Sequence, residues 1–130
     1  MTGPVQAGDV FTAERTFTES DVESFTELSR DRGRHHLGQA GGGRRMVQGL
    51  LVASLATEIG GQIHYIAREM VLEFLRPVYA GDRVQARIVV TEAVKEEGRT
   101  RLAMTVLMTN EQGKEVMRGT SRGLVLDRDR

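Results

Sequence analysis

A chain of 130 residues suits one domain, residues 1–130, with a real but modest core, and a subunit of this size often gains burial by pairing with a second copy. Eighteen basic and eighteen acidic side chains leave no net field, which argues against nucleic acid or an anionic membrane as partner, and the absence of cysteine excludes a disulfide framework, a thiol nucleophile and a thiolate zinc site. The start, from Met1 to Gly8, has neither a basic leader nor an apolar run, and the longest apolar stretch, residues 50–56, is too short to cross a bilayer, so the expectation is a soluble, unprocessed cytoplasmic protein.

Thr18 followed by Asp21 predicts a helix start, with Phe17 before the cap able to pack on Val22 as a hydrophobic staple. The helix runs to about residue 29, and Val22, Phe25 and Leu28 form the stripe expected to pack on the body. From 31 to 45 the composition turns to Gly, Arg and His, which predicts a loop. Residues 46–59 are apolar almost all round, the pattern of an enclosed helix, with Gly60-Gly61 as its stop. Four strands follow, over 63–75, 83–92, 99–109 and 115–126; Val84, Ala86, Ile88 and Val90 alternate with polar residues, as do Leu102, Met104, Val106 and Met108. Turn residues at 80–82, 96–98 and 110–113 predict antiparallel pairing of consecutive strands, so the fold class is α+β, a curved antiparallel sheet around one long helix. The tail, 127–130, is expected to be disordered.

Two features point to chemistry. Asp31 and His36 share the loop Ser29-Arg30-Asp31-Arg32-Gly33-Arg34-His35-His36, where a carboxylate and an imidazole can act on one water as an acid/base pair. Gly49 opens the apolar helix in Gln48-Gly49-Leu50-Leu51, where a backbone N–H without an intrahelical partner, backed by the helix dipole, can stabilise an oxyanion. Together these suggest reaction on a thioester-activated acyl group.

The pattern resembles the MaoC-like hot-dog dehydratase family, of the (R)-specific enoyl-CoA hydratase type, whose signature reads roughly Ser-Gly-Asp-x-Asn-Pro-Leu-His with a later His-Gly-Met. Asp31, His36 and Gly49 fall on its key positions, and the likeness extends through Phe17-Thr18-Glu19-Ser20-Asp21-Val22 and Phe74-Leu75-Arg76-Pro77-Val78-Tyr79-Ala80-Gly81-Asp82. The resemblance implies a hot-dog fold and reversible hydration of a trans-2-enoyl-CoA, with Asp31 and His36 orienting water and Gly49 holding the thioester oxygen. It implies no cofactor other than the coenzyme A of the substrate, and a homodimer. Thr57 matches a position where the family places a substrate-side hydroxyl, and Ser54 and Gln48 complete the expected substrate contacts. The chain departs from the pattern at Gly33 for Asn, Arg34 for Pro, Gly38 for Asp and Gln48 for His, and the stretch between His36 and Gln48 is shorter than usual, which reshapes the cover over the acyl end.

Two rivals remain at this level. In a hot-dog thioesterase Asp31 or Glu58 would direct water at the carbonyl carbon, and in a non-catalytic acyl-binding subunit the site would bind without turnover. His35 matches an apolar family position and reads as packing or solvated, and His64 as structural. Arg44 and Arg45 are candidates for coenzyme A phosphates. Two adjacent histidines and one distant carboxylate lack metal-ligand spacing, so no metal is expected.

Overall fold

The computed structural model describes residues 4–37 and 43–129. In chain order they form β1 (Val10–Thr16), α1 (Glu19–Ser29), a 3-10 turn (Arg34–His36), α2 (Gly49–Gln62), β2 (Ile66–Phe74), β3 (Arg83–Glu96), β4 (Arg99–Asn110), β5 (Glu115–Leu126) and a final 3-10 turn (Asp127–Asp129). The strands make one antiparallel sheet in the order β1-β3-β4-β5-β2.

The start of α1 follows its sequence signal. Thr18 caps the helix, its Oγ1 accepting from the Asp21 N–H at 3.0 Å while Asp21 Oδ2 accepts from the Thr18 N–H at 2.9 Å. Arg15, from the end of β1, donates to both carboxylate oxygens of Asp21, at 2.7 and 3.2 Å. Those bonds, followed by that from Thr18, hold the Asp21 carboxyl below the usual carboxylate range and outweigh its partial desolvation. A depressed folded-state pKa contributes stability that is complete above about pH 4 and is lost as pH falls through the lower folded value. Asp21→Asn should therefore lower stability at neutral pH and flatten its decline on acidification, which urea melts between pH 7 and pH 2.5 would read.

The packed stripe of α1 differs from expectation. Val22 and Thr26 are buried and Phe25 is half-buried, but Leu28 is 83% exposed. The steps 22, 25 and 28 advance by three residues, so at 100° per residue they drift off the face that 22 and 26 share.

Helix α2 starts and ends three residues later than expected. Met46 is held by a β-bridge to Tyr79 and the Val47 N–H donates to the Val78 carbonyl, so residues 46–48 are extended. At the other end the helix runs through Gly60 and Gly61, which lower helix propensity without stopping it. It closes where His64 takes a left-handed conformation (φ 56°) and the Tyr65 N–H reaches back to the Gly60 carbonyl, so His64 lies outside any strand.

The sheet has five strands where four are expected. The missed one, β1, is an edge strand with only Phe11 and Ala13 packed against the core, too short an apolar alternation to stand out. The hairpins β3–β4 and β4–β5 turn where predicted, with Gly98 and Gly113 at positive φ. Consecutive β2 and β3 do not pair, however. β2 pairs with β5 at the far edge, and the turn at 80–82 is tied instead to the start of α1, through Gly81 N–H to Phe17 O and Phe17 N–H to Asp82 O. Of the tail expected to be disordered, Asp127–Asp129 form a 3-10 turn, with Lys95 paired to Asp127, and Arg130 lies outside the described residues.

Alternate residues of β3 and β4, Val84 to Val90 and Leu102 to Met108, pack against Val52, Leu55, Ala56 and Ile59 of α2 in a single core. Val84, Ala86, Ile88 and Val90 are 0–1% exposed, so α2 covers this apolar face within one subunit and no second copy is needed for it. Among the described residues, four of the seven exposed large apolar side chains lie on β2, at Ile66, Met70, Val71 and Phe74; the others are Val10, Leu28 and Leu50. No helix among the described residues is long and apolar enough to cross a membrane.

Candidate active site

The loop that carries Asp31 and His36 is built by a helix end and a short turn. Arg30 closes α1 in the left-handed region (φ 63°), its N–H donating to Thr26 O. Asp31 follows, its N–H on Ser29 Oγ and its Oδ1 accepting from the Gly33 N–H at 3.2 Å. A Cβ on Gly33 would stand 2.8 Å from the His35 ring, so the glycine permits the tight approach of the loop to itself. The 3-10 turn then carries His36 inward, leaving its side chain 6% exposed against 49% for Asp31.

The imidazole is fixed at both nitrogens. His36 Nδ1 lies 2.7 Å from the Met46 carbonyl, and a carbonyl only accepts, so Nδ1 carries the hydrogen. Met46 in turn donates its N–H to the His35 carbonyl at 2.7 Å, which locks the two limbs of the loop together. His36 Nε2 is therefore the nitrogen left to exchange protons, and it stands 3.2 Å from Asp31 Oδ2. A carbonyl partner behind one nitrogen and a carboxylate before the other is an arrangement suited to proton transfer.

Both groups border a cleft of about 650 Å3 that also meets Gln48 and Gly49 and is walled by apolar residues including Phe25, Val52, Phe74 and Met117. Gly49 is the first residue of α2, so its N–H has no intrahelical acceptor. The Phe74 ring lies directly on it: a Cβ at position 49 would come within 2.6 Å of the ring. Phe74, like Arg76 at the cleft wall, had no role in the sequence reading, although both stand in the Phe74-to-Asp82 segment that carried the resemblance. The signal available was their adjacency to a matched motif; the contact itself needs the end of β2 brought to the start of α2.

The other expected substrate contacts fare differently. Gln48 is at the cleft but 2% exposed, its Nε2 donating to Thr26 Oγ1 at 2.9 Å on α1. Ser54 donates to the Leu51 carbonyl in its own helix, and Thr57 is exposed on α2; neither borders the cleft. Glu58 is also exposed and outside it. His35 does line the cleft, its ring centroid 3.9 Å from that of His36. Arg44 is paired with Asp82 over the Tyr79 ring, and Arg45 with Glu19. Gly38 lies outside the described residues. Among the described residues no three His, Asp or Glu side chains converge as metal ligands.

A carboxylate–imidazole pair thus lies beside a helix N-terminus in an apolar cleft, an arrangement able to carry acid/base chemistry. The thioesterase superfamily description matches residues 48–117, just over half of the chain. A 3-hydroxybutyryl-CoA dehydratase of Methylorubrum extorquens is 32% identical over 108 residues, covering 75% of this chain and 68% of that protein. Among solved structures, an (R)-hydratase from A. caviae involved in PHA biosynthesis superimposes with a TM-score of 0.80 at 25% identity, over 96% of this chain and 99% of that one. The fold is also that of the R-hydratase PhaJ1 from Pseudomonas aeruginosa, with a TM-score of 0.82 at 22% identity over 94% and 82% of the two chains. The chain has the hot-dog fold and belongs to the thioesterase superfamily, in the hot-dog dehydratase family of its 3-hydroxybutyryl-CoA dehydratase relative.

Proposed function

We propose that the protein is an (R)-specific enoyl-CoA hydratase, adding water reversibly to a trans-2-enoyl-CoA to give the (R)-3-hydroxyacyl-CoA. The observation that carries this reading is the pinned imidazole, with Nδ1 on the Met46 carbonyl and Nε2 facing Asp31 across 3.2 Å at the wall of the cleft. Water held against both Asp31 and His36 on the cleft side loses one proton to one of them as its oxygen bonds to the β-carbon. The π electrons move to the thioester, and the charge that gathers on its oxygen is met by the Gly49 N–H. The pair enters the step with one transferable proton held by Asp31 or by His36 Nε2; the member that holds it gives it to the α-carbon, which restores the thioester and leaves the pair with the proton taken from water. No group beyond the coenzyme A of the substrate is required. The relatives support this reading, one being a 3-hydroxybutyryl-CoA dehydratase and another an (R)-hydratase.

The test is direct: crotonyl-CoA and a longer enoyl-CoA should each lose their conjugated thioester absorbance on addition of the protein, with no free thiol appearing. Thiol release from a saturated acyl-CoA instead would select the thioesterase alternative, which, with Glu58 outside the cleft, would have to rest on Asp31. A protein that binds but turns over neither substrate would select the non-catalytic subunit, which the intact Asp31–His36 pair disfavours.

The same reading includes a homodimer in the cytoplasm, the compartment with which a cysteine-free chain is in keeping. β2 is an edge strand with Ile66, Met70, Val71 and Phe74 each about half exposed, and an apolar edge of this kind is normally covered. Antiparallel docking of β2 on the β2 of a second copy would cover it. Light scattering at micromolar concentration should give twice the 14.4 kDa chain mass, and Val71→Lys should shift the population to monomer. A wild-type protein that runs only as monomer would remove this part of the reading.

A further inference from the structure

Among the described residues, one buried side-chain polar atom has no hydrogen-bond partner: Oε1 of Gln48, in a residue 2% exposed that borders the cleft. Its orientation is not a free choice between oxygen and nitrogen. The other end of the amide lies 2.9 Å from Thr26 Oγ1 and 3.4 Å from the Val22 carbonyl, and the Thr26 hydroxyl already donates to that carbonyl at 2.8 Å. A carbonyl only accepts, and a hydroxyl whose hydrogen is committed is left as an acceptor. Both α1 atoms therefore demand the amide nitrogen, and the oxygen is held away from α1 with its lone pairs unmet. A buried acceptor in that state is costly unless a donor arrives from water or a ligand.

Ser29, His35, His36, Arg76 and the Gly49 N–H all bring donors to the cleft wall, and none of them is hydrogen-bonded to Oε1. His36 Nδ1–H is committed to Met46 O, and the Gly49 N–H belongs to α2 immediately after Gln48. On the substrate side, the acyl part of an enoyl thioester has no donor at all. The reacting water has two, and the 3-hydroxyl of the product has one.

We infer that Gln48 Oε1 accepts the hydrogen that the reacting oxygen keeps. The inference rests on the hydratase reading and deepens it. Of the two hydrogens of the water, one leaves to the Asp31–His36 pair as the oxygen bonds to the β-carbon. The other stays on oxygen and becomes the hydroxyl hydrogen of the product. A single acceptor that holds it from water to product orients the attacking lone pair and recognises the 3-hydroxyl, without taking part in any proton transfer.

The experiment compares ligands that differ in that hydroxyl alone, so that general loosening of the fold cancels. Binding of (R)-3-hydroxybutyryl-CoA, 3-fluorobutyryl-CoA and butyryl-CoA is measured in an Asp31→Asn background, with the conjugated thioester absorbance reporting any residual turnover. The hydroxyl ligand should bind best, and Gln48→Met, close in shape but without an acceptor, should shrink its advantage over butyryl-CoA roughly 5-fold, as loss of one hydrogen bond predicts. Gln48→His, which keeps one donor and one acceptor, should preserve the advantage and most of the hydration rate. Thr26→Val, which loosens the tie to α1 but leaves Oε1 in place, should preserve it too. An unchanged advantage in Gln48→Met overturns the inference. Should that variant not fold, equal affinity for the fluoro and hydroxy ligands with Gln48 intact overturns it as well, because fluorine cannot donate. Failure of the unaltered chain to hydrate crotonyl-CoA would instead remove the hydratase reading beneath it.

Discussion

Asp31→Asn and His36→Ala should each lower hydration of crotonyl-CoA by about two orders of magnitude or more, the usual contribution of a general acid or base. Neither change should unfold the protein, because Asp31 is half exposed and bonded only within its own loop apart from His36. His36 is the more delicate of the two, since its Nδ1–H is one of the ties between the loop limbs; the bond from Met46 N–H to His35 O would remain. His36→Asn tests the same chemistry with a side chain that still offers an N–H to Met46. Both groups act on one water, so the double variant should lose little beyond the worse single variant. Effects that simply multiply, measured as kcat/KM in folded variants, would mean that the two groups do not share a step, and the hydratase mechanism would have to be abandoned.

Much of the fold was legible because its signals are local. The Thr18–Asp21 cap sits within one turn, β3 alternates from Val84 to Val90 and β4 from Leu102 to Met108, and Gly98 and Gly113 mark hairpin turns at the positions where positive φ is needed. What stayed hidden depends on distant partners. β1 shows little by itself because its stability comes from pairing with β3 across 60 and more intervening residues. The place of β2 at the sheet edge, next to β5 and not β3, is likewise a matter of how the turn at 80–82 docks on Phe17. The error at α2 has the same origin: Met46 and Val47 have helical apolar patterning, but Tyr79 and Val78 offer them backbone partners and win.

The site divides in the same way. Asp31 and His36 are close in sequence, so a single loop brings them together, and the family pattern pointed to both. The Met46 carbonyl that sets the imidazole tautomer is a backbone atom and leaves no trace in residue type. Thr57 and Ser54 were expected at the cleft from their place on the helix, and they do share a face with Leu50, which borders it; but the cleft meets only the first turn of α2, at Gly49, Leu50 and Val52, and they lie one and two turns further along. Phe74 was visible only as part of a motif.

Phe74 changes how the oxyanion role of Gly49 must be tested. Gly49→Pro alone should abolish hydration, but any side chain at 49 meets the Phe74 ring within 2.6 Å, so collision and loss of the amide hydrogen would be confounded. Phe74→Ala removes the ring and makes room, at a modest cost in activity from the opened wall. On that background Gly49→Ala keeps the N–H and should turn over about as well as Phe74→Ala itself. Gly49→Pro on the same background replaces that hydrogen with a ring methylene and should fall by a further 100-fold or more, about what one oxyanion donor contributes. The backbone is ready for proline there: position 49 is the first of its helix, where the ring is tolerated, and Gln48 sits at φ −59° and ψ 137°, the extended conformation a residue before proline prefers. Circular dichroism would confirm that both double variants fold. If the proline and alanine variants then hydrate crotonyl-CoA at similar rates, the charge on the thioester oxygen is met by some other donor and the Gly49 N–H has no part in the reaction.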